Sequence, residues 1–177
     1  MRDIAITIEG LPELLTIVSG LSNEVQEEVE GEILDSVLRI TATQRRLAPV
    51  DQGGLRRNIG FERKQENDKA EFLIFSNSEQ SGYIEFGTRY RVNIPAGLVG
   101  IAEPFQGPGI RTRLRAKEAI YGWAKRKGIP ERAWYPIFLA IMTVGIIPHP
   151  FFFGPFFDES PKLLQRIETI INQNRTV

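Results

Sequence analysis

The segment from Ser22 to Pro49 limits what this chain can become more than any other. Val25, Val29, Ile33, Val37 and Ile40 recur at three- and four-residue spacing, the apolar face of one long helix. Ser22 stands where an N-cap belongs, and the helix is expected to run to about Leu47. Its acids come early and Arg45 and Arg46 come at its end, which suits the helix dipole. Gly31 in the middle costs about 1 kcal/mol. Pro49 lacks an N–H and restrains Ala48, so the helix stops there.

A small sheet is expected to cover that apolar face. Residues 3–8 alternate, with Ile4, Ile6 and Ile8 on one side, as a strand does. Leu55–Gln65 and Ala70–Ser76 read as two more strands, joined by a turn at Glu66-Asn67-Asp68-Lys69. In the second of these Phe72 and Ile74 face one way and Leu73 and Phe75 the other, which predicts cover on both faces. Between helix and strands lies Ala48-Pro49-Val50-Asp51-Gln52-Gly53-Gly54-Leu55-Arg56. There Asp51 suits side chain-to-backbone bonds, Gly53 and Gly54 admit positive φ, and Leu55 drops back onto the core as the strand begins. The expected fold class is α+β: a small antiparallel sheet packed against a long N-terminal helix, with additional C-terminal helices.

Leu11–Val18 reads as a short helix with Pro12 in its first turn. Residues 89–110, with Pro95, Gly97, Gly100, Pro104, Gly107, Pro108 and Gly109, read as a long loop. Residues 111–147 read as a helical insertion. Thr112 caps its first helix, whose apolar stripe is Ala116, Ala119, Ile120, Trp123 and Ala124 and which Gly128 and Pro130 end. A second helix lies within Arg132–Val144 and stops at Gly145. Ser160-Pro161 opens a terminal helix with Leu163, Leu164, Ile167, Ile170 and Ile171 inward. With no internal repeat and no low-complexity linker, residues 1–177 read as a single domain, long enough to bury a real core.

Lysine plus arginine balances aspartate plus glutamate, 22 to 22, so the whole molecule offers no case for nucleic acid or an anionic membrane. Locally the balance fails: residues 1–38 carry nine acids and one base, net −8, and residues 111–132 carry eight bases and two acids, net +6. These are either solvated helix faces or the two halves of a contact in which copies meet acid to base. Ala133–Phe157 has no charged residue besides the one histidine, yet Pro136, Pro148, Pro150 and Pro155 interrupt it. Its longest proline-free piece, Ile137–Ile147, spans about 16 Å as a helix, half a bilayer core. A buried helix followed by an extended aromatic segment is expected instead. The charged start, Met1-Arg2-Asp3-Ile4, argues against a signal peptide.

The residues offer little chemistry. Absence of cysteine rules out disulfides, thiolate catalysis and cysteine-ligated zinc. His149, the one histidine, is wedged between Pro148 and Pro150, with no nucleophile elbow in the sequence, so neither a Ser-His-Asp triad nor a histidine metal site is expected. Asp51, Glu62 and Lys64 loosely mimic the carboxylate and lysine spacing of metal-dependent nucleases, although turn chemistry accounts for Asp51. The glycines of 97–109 lack the following lysine and helix of a phosphate loop. In Tyr83-Ile84-Glu85-Phe86-Gly87-Thr88, Tyr83 and Phe86 are anchors about one helical turn apart. Glu85 there is either solvated or partly buried against an arginine, from Arg56 or Arg57 or from a neighbour.

Helix, Ala-Pro-Val-Asp-x-Gly-x-Leu-Arg from Ala48, a strand pair, Tyr-x-Glu-Phe-Gly-Thr from Tyr83 and Pro-Phe-Phe from Pro150, in that order, resemble the head–tail joining proteins of tailed bacteriophages, variously called neck or tail-completion proteins. The likeness runs from about residue 3 to residue 173, and residues 120–157, with Ile120–Gly128, a helix ending at Gly145 and the Pro-Phe segment, resemble longer members. Gln52 stands where Thr or Ser is commoner, and residues 89–110 have no counterpart. The resemblance implies a non-enzymatic virion protein without metal or cofactor, assembled in the bacterial host cytoplasm as a homo-oligomeric ring that completes or joins the tail. Implied partners are copies of itself and neighbouring head-closure and tail-terminator or tail-tube proteins, with DNA passing through unbound and no membrane involved. Its motif residues are Pro49, Asp51, Gly53, Leu55, Arg56, Tyr83, Glu85, Phe86, Gly87, Thr88, Pro150 and Phe151. Phe151, Phe152, Phe153, Phe156 and Phe157, with Arg113 and Arg115, are expected in subunit contacts, since contiguous apolar patches mark interfaces. A ring that lets DNA slide should not grip it, so acidic helix faces rather than the 111–127 face are expected to line a channel. The alternative is a nucleic-acid-binding protein using the basic 111–132 face.

Overall fold

A computed structural model describes residues 4–7, 22–66, 69–88, 94–106 and 113–174. Helix α1, Asn23–Leu47, forms where the apolar spacing predicts it. Ser22 caps it through its backbone, its carbonyl accepting from the N–H of Val25 and Gln26, and its side chain makes no cap bond. Val25, Val29, Ile33, Val37 and Ile40 are all buried. Three polar residues share that face, Ser36, Thr41 and Gln44. Thr41 satisfies its hydroxyl locally, donating to the Val37 carbonyl at 2.7 Å.

The sheet has three antiparallel strands, β1 (Ile4–Thr7), β2 (Ile59–Glu66) and β3 (Lys69–Ser76), in the order β1-β3-β2. Ile6, Ile74 and Phe61 lie opposite one another across the three strands. This register puts Ile4, Ile6, Ile59, Phe72 and Ile74 on the face that covers α1, and all five are buried. On the other face Leu73 is buried, Phe75 half-buried and Glu62 exposed, so the expected double cover holds at Leu73 and is partial at Phe75. Glu66 pairs with Lys69 in a tight hairpin.

Leu55–Arg57, expected to begin a strand, are helical instead. Gly53 takes φ 72°, and a single helical turn, α2 (Gly54–Arg57), follows, with Gly54 in ordinary helical geometry. The N–H groups of Arg57 and Asn58 close this turn onto the Gly53 and Gly54 carbonyls, and β2 starts only at Ile59. Leu55 reaches the core from the turn.

The terminal helix, α7 (Phe153–Asn174), begins before Ser160-Pro161 and carries Pro161 inside it. The Ser160 hydroxyl bonds to the Phe156 carbonyl at 2.6 Å in that turn. Leu163, Ile167, Ile170 and Ile171 are buried and α7 packs on α1, whereas Leu164, also expected inward, is exposed. Glu32 of α1 and Glu159 of α7 are each shared by Arg39 and Arg166, a four-residue ionic cluster joining the two helices.

The chain divides into two compact units, residues 1–81 with 150–177, and residues 82–149. The second unit begins within α3 (Ser81–Phe86) and holds a 3-10 turn (Ala96–Leu98) running into α4 (Val99–Gln106), then α5 (Arg113–Arg126) and α6 (Glu131–Val144). Residues 96–106, expected as loop, are thus helical. The Phe105 ring meets Tyr83 edge-on at 5.2 Å and stacks on Phe86 at 6.1 Å, and the Gln106 amide donates to the Phe86 carbonyl at 2.6 Å. These contacts outweigh the cost of Pro104 inside α4. Pro136 likewise lies within α6 and does not interrupt it. Gly128 and Gly145, both at positive φ, stand just past α5 and α6. Only Ala124 of the expected α5 stripe is buried; Ala116, Ile120 and Trp123 are half-buried and Ala119 is exposed. The expectations for Ile8, Leu11–Val18, Asn67, Asp68 and Thr112 lie outside the described residues. Among those described, no helix is long and apolar enough to cross a membrane.

Candidate functional site: motif joints and an arginine hollow

A helix end leaves carbonyls without intrahelical donors. At the end of α1 an arginine supplies them: Arg56 Nε donates to the Ala48 carbonyl at 3.0 Å and Nη2 to the Arg46 carbonyl at 3.2 Å. Arg45 reaches the other way, giving Nε and Nη2 to the Ile59 carbonyl at 3.1 and 2.7 Å. Together they stitch the helix end to β2. Ala48 and Leu55 are buried beneath this corner, while Pro49 and Asp51 lie exposed on it.

Arg45, Arg46, Arg56 and Arg57 line one open hollow of about 560 Å³. All four are exposed, and the ion pairs among the described residues engage none of them. Sequence reasoning did not find this cluster. Its signal is two Arg-Arg pairs placed on either side of the Pro49 turn.

The second joint lies within residues 82–149. The N–H of Thr88 donates to the Ile146 carbonyl at 3.1 Å, and the N–H of Ile146 donates to Thr88 Oγ1 at 2.8 Å. The His149 N–H adds a bond to the Ile84 carbonyl at 2.7 Å. The Tyr83–Thr88 segment and the Ile146–His149 strap are thereby zipped together. Gly87 makes this possible: it sits at φ 69°, and a Cβ there would lie 2.6 Å from the Ile146 carbonyl oxygen. Gly82 is equally confined, since its Cβ would fall 2.3 Å from the Phe105 ring. Glu85 is buried, 4% exposed, and partnered, which removes the solvated alternative.

Phe151, Phe152 and Phe153, expected in subunit contacts, are buried in the core of their own chain. Two features draw them in. The Gln44 amide on the buried face of α1 donates to the Phe152 carbonyl at 2.8 Å. Their rings pack on one another, Phe151 on Phe152 at 6.2 Å and Phe152 on Phe153 at 5.3 Å. Phe156 is half-buried and Phe157 is 48% exposed, so of the five only Phe157 offers substantial surface. Pro150 is exposed. Arg113 and Arg115 open α5, and their side chains lie outside the described residues.

Asp51, Glu62 and Lys64 are all exposed, Asp51 on the corner and the other two on β2. Among the described residues no three histidine or carboxylate side chains are placed to hold a metal ion. His149 is exposed. A stretch of exposed, uncharged surface lies on α6: Tyr135, Pro136, Leu139, Ala140, Thr143 and Val144 recur at helical spacing, all exposed, and Ile147 beyond them is 74% exposed. On α5, Lys117, Lys125 and Arg126 are exposed, with Lys127 just beyond, and the Lys117 ammonium stands 5.9 Å from the Trp134 ring centre. No family model, curated protein or solved structure matches this chain.

Proposed function

We propose that this chain is a structural protein of a tailed-phage virion, acting at the head–tail junction as an oligomeric ring that completes the tail or joins it to the head. The order of its three motifs suggests the class. The observation that carries an assembly role is the outer face of α6, where Tyr135, Leu139 and Val144 form an exposed stripe with no charge between them. Apolar surface of this kind is costly to leave in water and marks a place for another protein. The motif residues fit the same reading. Arg56, Gly87, Thr88 and Phe151 hold joints, so their value is to fix the shape presented to neighbours.

Electron microscopy and sedimentation of the purified chain test this. Rings are expected, and removing the chain from the phage that encodes it should leave filled heads and tails unjoined. A chain that stays monomeric at high concentration, together with normal virions in its absence, refutes the proposal. The exposed Lys117, Lys125, Arg126 and Lys127 favour a second reading, nucleic-acid binding. Retention on duplex DNA that falls steeply with salt would support it.

A further inference from the structure

We propose that the arginine hollow is a socket for the carboxylates at the start of α1 in a second copy, so that copies join head to tail. This rests on the assembly reading above and names its contact. The argument begins with which charges are already satisfied. Of the acids on α1, Glu30 is paired with Arg63 at 2.7 Å, and Glu32 with Arg39 and Arg166. Glu24, Glu27 and Glu28 are exposed, and no ion pair among the described residues engages them. They stand at positions i, i+3 and i+4, one compact patch on the helix surface. Around the corner at the other end of that helix Arg45, Arg46, Arg56 and Arg57 line one open hollow; Arg45 and Arg56 already give Nε and Nη2 to backbone carbonyls, and Arg46 and Arg57 are the two that no ion pair or side-chain bond among the described residues engages.

The two patches cannot neutralise each other within one chain. At 1.5 Å per residue they lie about 25–33 Å apart along the axis, far beyond a side chain's reach. They are complementary only between copies. Guanidinium forks bind carboxylates with paired hydrogen bonds, a geometry that selects these partners over bare charge. The hollow is open and the helix start exposed, so the two charges can meet.

A contact between unlike surfaces on one molecule repeats, and it closes into a ring if the rotation allows. The competing arrangement is a two-fold pair of antiparallel α1 helices. It would also bring acids to arginines, with Leu34 against Leu38 at the centre. Asp35, exposed on that same flank, would then meet its own copy near the axis. Like charges placed together oppose such a pair. In this arrangement Glu24, Glu27 and Glu28 face cations of the next copy.

The absence of cysteine makes the test clean. A full-length chain carrying Glu27→Cys and Arg57→Cys is oxidised and run without reductant. A ladder extending past dimer is expected, because each copy then links to two neighbours. Cross-linked dimers alone indicate the two-fold pair and overturn the proposal. In parallel, Arg46→Glu with Arg57→Glu should weaken self-association at least tenfold, and adding Glu24→Lys, Glu27→Lys and Glu28→Lys to the same chain should restore it. Among the described residues neither the Arg46 nor the Arg57 side chain bonds to the joints of the fold, so circular dichroism should be unchanged. Rings that survive the arginine reversal overturn the socket and leave the assembly reading standing. A wild-type chain that never associates removes both. Duplex DNA retention that the arginine reversal abolishes overturns the socket in favour of a phosphate-binding surface.

Discussion

Replacing Gly87 by alanine tests whether the second joint holds its unit together. The residue sits at φ 69°, where an L side chain carries a strain of about 1–3 kcal/mol. The added Cβ also meets the Ile146 carbonyl oxygen at 2.6 Å and Pro148 Cδ at 2.8 Å, neither of which is the free end of a flexible side chain. To make room, the strap must move away from Thr88, breaking the two reciprocal bonds between Thr88 and Ile146. At about 0.5–1.5 kcal/mol each, these bonds and the strain together give a loss of about 2–6 kcal/mol. Urea denaturation measures the total, and hydrogen exchange at the Thr88 and Ile146 amides localises it. Gly31→Ala serves as the opposite control. That glycine lies within α1 with nothing within 4 Å of a new Cβ, so alanine should stabilise by about 0.5–1 kcal/mol. A Gly87→Ala protein within about 1 kcal/mol of wild type, with both amides still protected, would refute the account of this joint.

Acid should loosen the contact between α1 and α7. Burial alone would push the Glu159 carboxyl up, but hydrogen bonds from Arg166 and Arg39 more than offset this and hold it below its ordinary 4.5. A lowered folded pKa means that the stabilisation is present above that ordinary value and fades as pH falls through the lowered one. Glu159→Gln should flatten the melting temperature against pH over this acid range and cost about 1–2 kcal/mol at neutral pH, discounted because Arg39 and Arg166 are partly exposed. Phe152→Ala should cost about 3–5 kcal/mol by chemical denaturation, while Leu164→Ala on the outer side of α7 should cost less than about 1 kcal/mol. Leu139→Asp should leave the melting temperature near wild type and reduce the sedimenting mass of the assembly.

Periodicity made part of this fold legible. The five aliphatic residues of α1 and the alternation of Ile4 and Ile6 both read their buried faces correctly, because one covered face imposes one spacing. Local pattern fails where a distant contact decides the outcome. Residues 96–106 carry loop-forming glycine and proline, yet Phe105 and Gln106 gain partners on α3 that no local pattern reveals. The aromatic run at 151–153 has the composition of an exposed patch, and a single amide on α1, Gln44, marks it as interior. Pro161 suits the first turn of a helix, but the apolar surface of α7 extends back to Phe153. The arginine hollow stayed hidden because its four members come from two stretches that only the Pro49 corner brings together.

The first compact unit is interrupted in sequence, since residues 82–149 fall between its sheet and its last helix. On the ribosome this imposes an order of events. The apolar flank of α1 emerges early, but the helix that completes its cover follows more than a hundred residues later. At 5–20 residues per second that is a delay of roughly 6–25 s. The intervening unit is continuous, so it can finish folding during the wait. The nascent chain therefore passes through a stage in which a finished middle portion hangs from a half-closed one, and chaperone binding should concentrate on α1 during that interval.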